Sequence, residues 1–455
     1  MAKREVNMLS GPIAKGLLSI SLPIMVMNVG QNLFNIIDLT ILKNYDVGTA
    51  VGSVGACGTL IGLVTGLLIG IATGANIVIA KYIGKGDQEA VERSVGTAML
   101  FSVLGGLFLT VIGLLFARVF LSWMKCPESL LDGAVLYFRL YFVGVPILMI
   151  YNFAAAILRS TGDSRRPMIF LTLGGFLKVV LTFVFVYFFH AGVTGVALAT
   201  IFSWALSAFL AVHALLKSGG AVQLFPKHLR IYSHELREIL AVGVPAGLQQ
   251  SLYSIANVVI NTTVNTFGAA ATTGLSIANN FDGILYQIVM APSYAVVAYV
   301  SQNIGAGNLK RARQAISRGI LITTAMGTFF GFLSAFFSRE LSSIMTSDPA
   351  AIEFSYQKMI VISTTYWICG LNETLGASLR GMGRSLLATV TTMVYMCGFR
   401  FFWIYLIFPF MPTQNLTSLY LVWPVGWTLS LFTLLIFYYP TLKTLAQKLK
   451  TPATV

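Results

Sequence analysis

Long stretches without one ionisable side chain decide what this chain can fold into. Val47–Ala80, Ser94–Ala117, Ile239–Phe281, Gly283–Leu309 and Phe401–Leu442 contain no Asp, Glu, Lys or Arg. A helix that crosses a bilayer needs about 20 apolar residues, so the longest of these runs hold two helices each. Composition agrees: charged residues make up 10% of the chain and mean hydropathy is +0.80, where a soluble chain carries about a quarter charged residues. Met1–Lys15 is short and polar and lacks a small-residue cleavage site, so Gly16–Leu42 reads as a retained first helix and not as a signal peptide.

Breaks at polar, Gly or Pro clusters predict helices near 17–42, 50–80, 94–118, 135–158, 166–189 and 193–216. A second set is predicted near 239–265, 270–300, 316–337, 358–380, 386–409 and 418–440. The net charge of +14 does not point to nucleic acid, because the basic residues cluster in short segments between apolar runs. Of 30 basic residues, 22 fall in the even-numbered loops and at the termini, and six on the opposite side, Lys358 among them. That asymmetry predicts both termini in the cytoplasm. The remaining two, Lys178 and Arg400, fall inside helices. Cys57, Cys126, Cys369 and Cys397 form no CxxC, and the four histidines lie at helix ends or in a polar loop, so neither a metal site nor a disulfide framework is expected.

The two halves repeat one another. Pro23 and Asn35 recur as Pro245 and Asn257, each 222 residues on. Ile83-Gly84-Lys85-Gly86-Asp87 is echoed by Ile304-Gly305-Ala306-Gly307-Asn308, and Leu158-Arg159…Ser164 by Leu379-Arg380…Ser385, both at 221. Six helices per half is an even number, so both halves enter the membrane in the same direction. The expected fold is an all-α membrane protein: 12 transmembrane helices in two six-helix lobes, related by a pseudo-twofold axis along the membrane normal, with a V-shaped central cleft. Residues 1–217 form the expected N-lobe, 218–238 a cytoplasmic linker and 239–455 the C-lobe. The glycine-rich segments after helices 2 and 8 follow no strand and contain no GxxxxGK[ST], so they read as tight turns and not as phosphate cradles.

On these motifs the chain resembles the MATE (multidrug and toxic compound extrusion) family over essentially its whole length. The resembling residues are Pro23 with Asp38, Ala199-Thr200, Leu158-Arg159…Gly162-Asp163, Gln302-Asn303-Ile304-Gly305-Ala306-Gly307 and Leu379-Arg380-Gly381-Met382-Gly383. The likeness is closer to the bacterial DinF-like than to the NorM-like branch. It implies an antiporter that expels amphipathic, often cationic, organic compounds in exchange for H+ or Na+ by alternating access. It also implies a multi-pass protein of the inner membrane, expected to act as a monomer without other cofactors. A flippase for a lipid-linked or other amphiphilic metabolite shares the architecture and is the rival reading. A membrane enzyme finds no nucleophile motif here.

Ionisable groups in hydrocarbon are costly and mark cavities or partners. Asn28, Asn32, Asn35 and Asp38 step by four, three and three and so share one helix face. Asp38 there can take up and release a cation or proton. The DinF-like resemblance implies an N-lobe cation site in which the aspartate is joined by Asn and Asp of helix 5 and Thr of helix 6. The matching positions here are Lys178, Thr182 and Thr200, so the first two depart from the pattern. An ammonium offers no lone pair, and Lys178 is expected to pair with Asp38 or to compete for it. In helix 7, Tyr253 stands where NorM-like relatives tend to have Glu. Tyr253, Asn257 and Asn261 recur every four residues and are expected to line the substrate cleft with Asp282, Tyr286, Glu373 and Arg400. Arg400 is the expected partner of Glu373 or Asp282. Three central acids against two bases favour a cationic cargo.

Overall fold

The computed structural model describes residues 6–45, 50–124, 126, 128–217 and 220–450. Its long helices are α1 (Ile13–Tyr45), α2 (Ala50–Lys85), α3 (Gln88–Trp123), α4 (Glu128–Ser160), α5 (Arg165–Phe183), α6 (Gly192–Leu216), α7 (Ser233–Asn265), α8 (Ala269–Gly305) and α9 (Leu309–Phe336). A short α10 (Ser338–Met345) precedes α11 (Pro349–Ser363), α12 (Tyr366–Gly381), α13 (Ser385–Met393), α14 (Phe399–Phe402), α15 (Leu416–Tyr420) and α16 (Val422–Lys450). Among the described residues, eleven helical stretches are long and apolar enough to cross a membrane.

The predicted tenth span is the exception, and it differs in two ways. It begins at Pro349, nine residues before the predicted start, because Asp348 caps it by accepting from the Ala350 N–H at 3.0 Å and proline suits the first helical position. It then breaks between α11 and α12. Thr364 and Thr365 turn their hydroxyls back onto the carbonyls of Ile360 and Val361, at 2.6 and 2.8 Å, and such back-bonding competes with the helical ladder. Each piece is shorter than a span, and together they supply the twelfth crossing.

The turns repeat as the sequence does. Gly86 and Gly307 adopt φ of +74° and +71°, a left-handed conformation that glycine tolerates best. The residue after each caps the next helix: Asp87 accepts from the Ala90 N–H and Asn308 from the Arg311 N–H, both at 3.0 Å. With the turns this tight, α2 and α8 run on past the predicted ends and α3 and α9 start early.

Two compact units emerge. One is built from Val26–Gly247, the other from Asn7–Met25 with Leu248–Val455. The change of unit falls inside α1 and α7, within three residues of Pro23 and Pro245. In the first unit α2, α3 and α6 pack on α4; in the second α9, α11 and α12 pack on α8. Both central helices bury 67% of their most apolar window, against 22% for α3, whose Phe108, Leu115 and Trp123 face outward. An outer surface of large apolar side chains belongs to a protein solvated by lipid.

Each unit also fixes the lead-in of a helix from the other half of the sequence. In the second, Arg311 donates to the carbonyls of Met8, Ser10 and Gly11 at 2.7–2.9 Å, and Asn303 donates to Met8 at 3.1 Å. In the first, Thr97 donates to the Arg230 carbonyl and accepts from the Tyr232 N–H, both at 3.2 Å. Lys81 and Arg93 pair with Glu238 and Glu235 at 2.8 Å. Above these ties α2 and the start of α7 meet through glycines. A Cβ on Gly70 would overlap the backbone of Gly247, one on Gly74 the Ile239 carbonyl, and one on Gly243 the backbone of Ile71. Paired small-xxx-small motifs let backbones touch where lipid gives no hydrophobic drive for association.

Gly70→Val should therefore cost about 1–3 kcal/mol through overpacking, lowering the melting temperature in detergent. Gly55→Ala, whose Cβ meets nothing within 4 Å, should leave it unchanged or raised. Equal melting temperatures for Gly70→Val and wild type would refute the close contact.

Candidate functional site

In the first unit α1 carries Asp38 and α5 carries Lys178 and Thr182, one helical turn apart. Asp38 is 4% exposed. Lys178 Nζ lies 2.5 Å from its Oδ2, and the Thr182 hydroxyl donates to its Oδ1 at 3.0 Å. The two positions that depart from the family pattern are thus the two that hold the carboxylate. Thr200 on α6 is buried but turns its hydroxyl onto the Val196 carbonyl at 2.9 Å. The side chain of Asn35 lies outside the described residues. An aspartate with a lysine and a threonine on its two oxygens is a closed ion pair. A monovalent metal there would need oxygen ligands and would meet a fixed ammonium instead.

The second unit holds two further acids. Glu373, on α12, accepts from the Tyr253 hydroxyl at 3.0 Å and pairs with Arg380 at 3.7 Å, while Arg380 also donates to Gln249 at 3.4 Å. Asp282, on α8, accepts from the Tyr366 hydroxyl and faces Lys358 Nζ at 3.6 Å. Lys358 also donates to Asn279. Tyr366 opens α12, so the break in the tenth span brings its hydroxyl to Asp282.

Arg400 does not take the role expected of it. Among the described residues no carboxylate lies within 4 Å of it; it donates to the Asn257 amide oxygen at 2.6 Å. Arg380 and Lys358 already hold the two acids. Asn261 and Tyr286 are partly buried on α7 and α8.

Sequence reasoning missed Lys358, Arg380, Gln249 and Trp423. Lys358, at the predicted start of the tenth helix and counted with the flanking bases, is 1% exposed; Asp348-Pro349 is the sequence signal that places it inside the span. Arg380 ends the predicted helix 358–380, and its side chain, 12% exposed, reaches back to Glu373. Trp423 falls inside the predicted helix 418–440 with no sequence signal of its own. It is buried, with Lys358 Nζ 5.6 Å and Arg400 Cζ 5.2 Å from its ring, within cation–π range. The corrected tally is three acids, Asp38, Asp282 and Glu373, against four bases, Lys178, Lys358, Arg380 and Arg400.

Twelve crossings, a duplicated helical unit and paired charges inside each copy are the architecture of a polytopic membrane transporter. The family described as MatE matches at residues 23–184 and again at 245–406, and the chain belongs to that family. It is 26% identical over 413 residues to a probable multidrug resistance protein, YpnP, of Bacillus subtilis, covering 91% of this chain and 89% of that one. It is 23% identical over 396 residues to an FAD transporter of Shewanella oneidensis, covering 86% and 87%. A solved outward-facing multidrug resistance MATE transporter superposes with a TM-score of 0.88 at 21% identity over 98% of both chains.

Removing one partner of a buried ion pair strands the other, at a cost of about 3–5 kcal/mol. Asp38→Asn and Lys178→Met should each lower the melting temperature markedly, and the double variant should recover much of the loss. Strictly additive effects in this cycle would show that the two groups do not interact.

Proposed function

We propose that the chain is a secondary-active exporter of amphipathic organic compounds, cations among them, driven by an inward H+ gradient through alternating access. The observation that carries this reading is the ammonium of Lys178 seated on Asp38. Two like charges about 4 Å apart repel by about 4 kcal/mol at an effective dielectric near 20, which disfavours Na+ at that carboxylate. A proton needs no coordination shell. It competes with Lys178 for Asp38 directly, and protonation dissolves the ion pair that ties α1 to α5, giving a two-state element that a gradient can bias. The names of the relatives, for multidrug resistance and for FAD transport, support organic cargo. The basic bias of the even-numbered loops supports insertion in a bacterial inner membrane with both termini cytoplasmic.

One observation favours the flippase reading as well: four interior bases, Lys358 and Arg400 buried and Lys178 and Arg380 partly so, against three acids suit a phosphate-bearing lipid better than the sequence tally did.

Efflux of ethidium from loaded cells separates these readings when the H+ and Na+ gradients are collapsed one at a time. Export should stop without the H+ gradient, continue without Na+ and be lost in Asp38→Asn. Lys178→Asn should shift its pH dependence. Dependence on Na+, or full activity in Asp38→Asn, would overturn coupling at this pair. No efflux by wild type under any gradient would favour the flippase.

A further inference from the structure

The internal repeat places an interior cation at one matching position of each half, and sets an acid against it in only one of them. Lys178 and Arg400 are 222 residues apart, the interval that relates Pro23 to Pro245 and Asn35 to Asn257. Arg159 and Arg380, earlier in each half, are 221 apart. The π-helical turn Val394–Gly398 lies between Arg380 and Arg400 and takes up the added residue; such bulges recur at functional sites. The same interval carried from Asp38 reaches Ile260, which is 1% exposed. The first unit therefore answers its cation with a carboxylate, and at the matching place the second has hydrocarbon.

Among the described residues no other acid fills the gap. Asp282 is taken by Lys358 and Tyr366, and Glu373 by Arg380 and Tyr253. Arg400 is 5% exposed and faces a neutral amide, Asn257, which is itself exposed. A guanidinium stays charged at any working pH, and a buried charge without a counter-charge is strongly unfavourable. Lys358, near the same Trp423 ring, is matched by Asp282 and leaves Arg400 as the unanswered charge. Asn257 holds the guanidinium in place of an anion and can be displaced by one from its exposed side.

We propose that Arg400 seats an acidic group of the transported compound, a carboxylate or phosphate carried on an apolar or aromatic body. The planar fork of the guanidinium suits two oxygens at once. This deepens the transporter reading by assigning a charge class to part of the cargo. It rests on that reading for the word cargo, and its test measures binding so that its failure stands apart from a failure of efflux.

The probes are 6-carboxyfluorescein and rhodamine 6G, a xanthene anion and a xanthene cation, with the full chain in phosphatidylcholine nanodiscs and binding read by fluorescence polarisation. Wild type should bind the anion. Arg400→Gln should weaken that binding about tenfold or more, the size of one charge-assisted hydrogen bond, and Arg400→Lys, which keeps the charge and loses the fork, should fall between the two. Asn257→Asp keeps the arginine and supplies its missing carboxylate, so it should weaken the anion as Arg400→Gln does even if that variant folds poorly. Rhodamine 6G should bind both charge-altered variants as well as wild type or better. Wild type that does not bind carboxyfluorescein, or binding unchanged in Arg400→Gln and Asn257→Asp, overturns the proposal. If phosphatidylglycerol in the disc competes with the dye in wild type, the guanidinium receives a lipid headgroup; without competition, it receives a free organic anion. Absent ethidium efflux with intact, Arg400-dependent binding would sink the export reading and leave the site standing.

Discussion

A charge taken into hydrocarbon is costly unless something opposite answers it, and most of the interior of each unit is arranged around that demand. Asp38 and Lys178 join α1 to α5, Glu373 and Arg380 share α12 with Tyr253 of α7 bound alongside, and Asp282 draws Lys358 of α11 and Tyr366 of α12 onto α8. These pairs are poor sources of stability compared with apolar packing. Their value lies in fixing which helix faces which, and in being breakable by a proton or by another charge.

The span pattern was legible because hydrocarbon imposes it directly: a run without charges long enough to cross has few other folds. The repeat was legible because the turns after α2 and α8 need glycine and then a capping side chain, at fixed places. The tenth span was harder. Its start is written in Asp348-Pro349 but hidden by the charged Glu353 and Lys358 that follow, which look like loop residues until a partner such as Asp282 is known. Its break depends on the hydroxyls of two adjacent threonines, a competition with the backbone that composition does not reveal.

The site was legible in part for the same reason. The polar stripe of α1 pointed to Asp38, and the family likeness brought Lys178 and Thr182 to it. In the second unit the sequence offered Asp282, Glu373 and Arg400 without saying which belonged together. Pairing depends on helices more than 70 residues apart in the chain, and on residues such as Arg380 that sit at a predicted helix end while their long side chains extend back inside. Arg400 looked like the natural partner for an acid because it was the one central base known in that half.

The exchange of chain ends between the units carries a historical implication. Residues 7–25 belong with the second unit and the first half of α7 with the first, so each repeat lends the opening of its leading helix to the other. Two identical ancestral halves making that loan would have been a domain-swapped homodimer, an inexpensive route to association for identical chains. Fusion through what is now the segment between α6 and α7 would then have turned a concentration-dependent assembly into a single molecule. Once fused, the two copies would have been free to diverge, so that one carries an aspartate where the repeat interval gives the other an isoleucine.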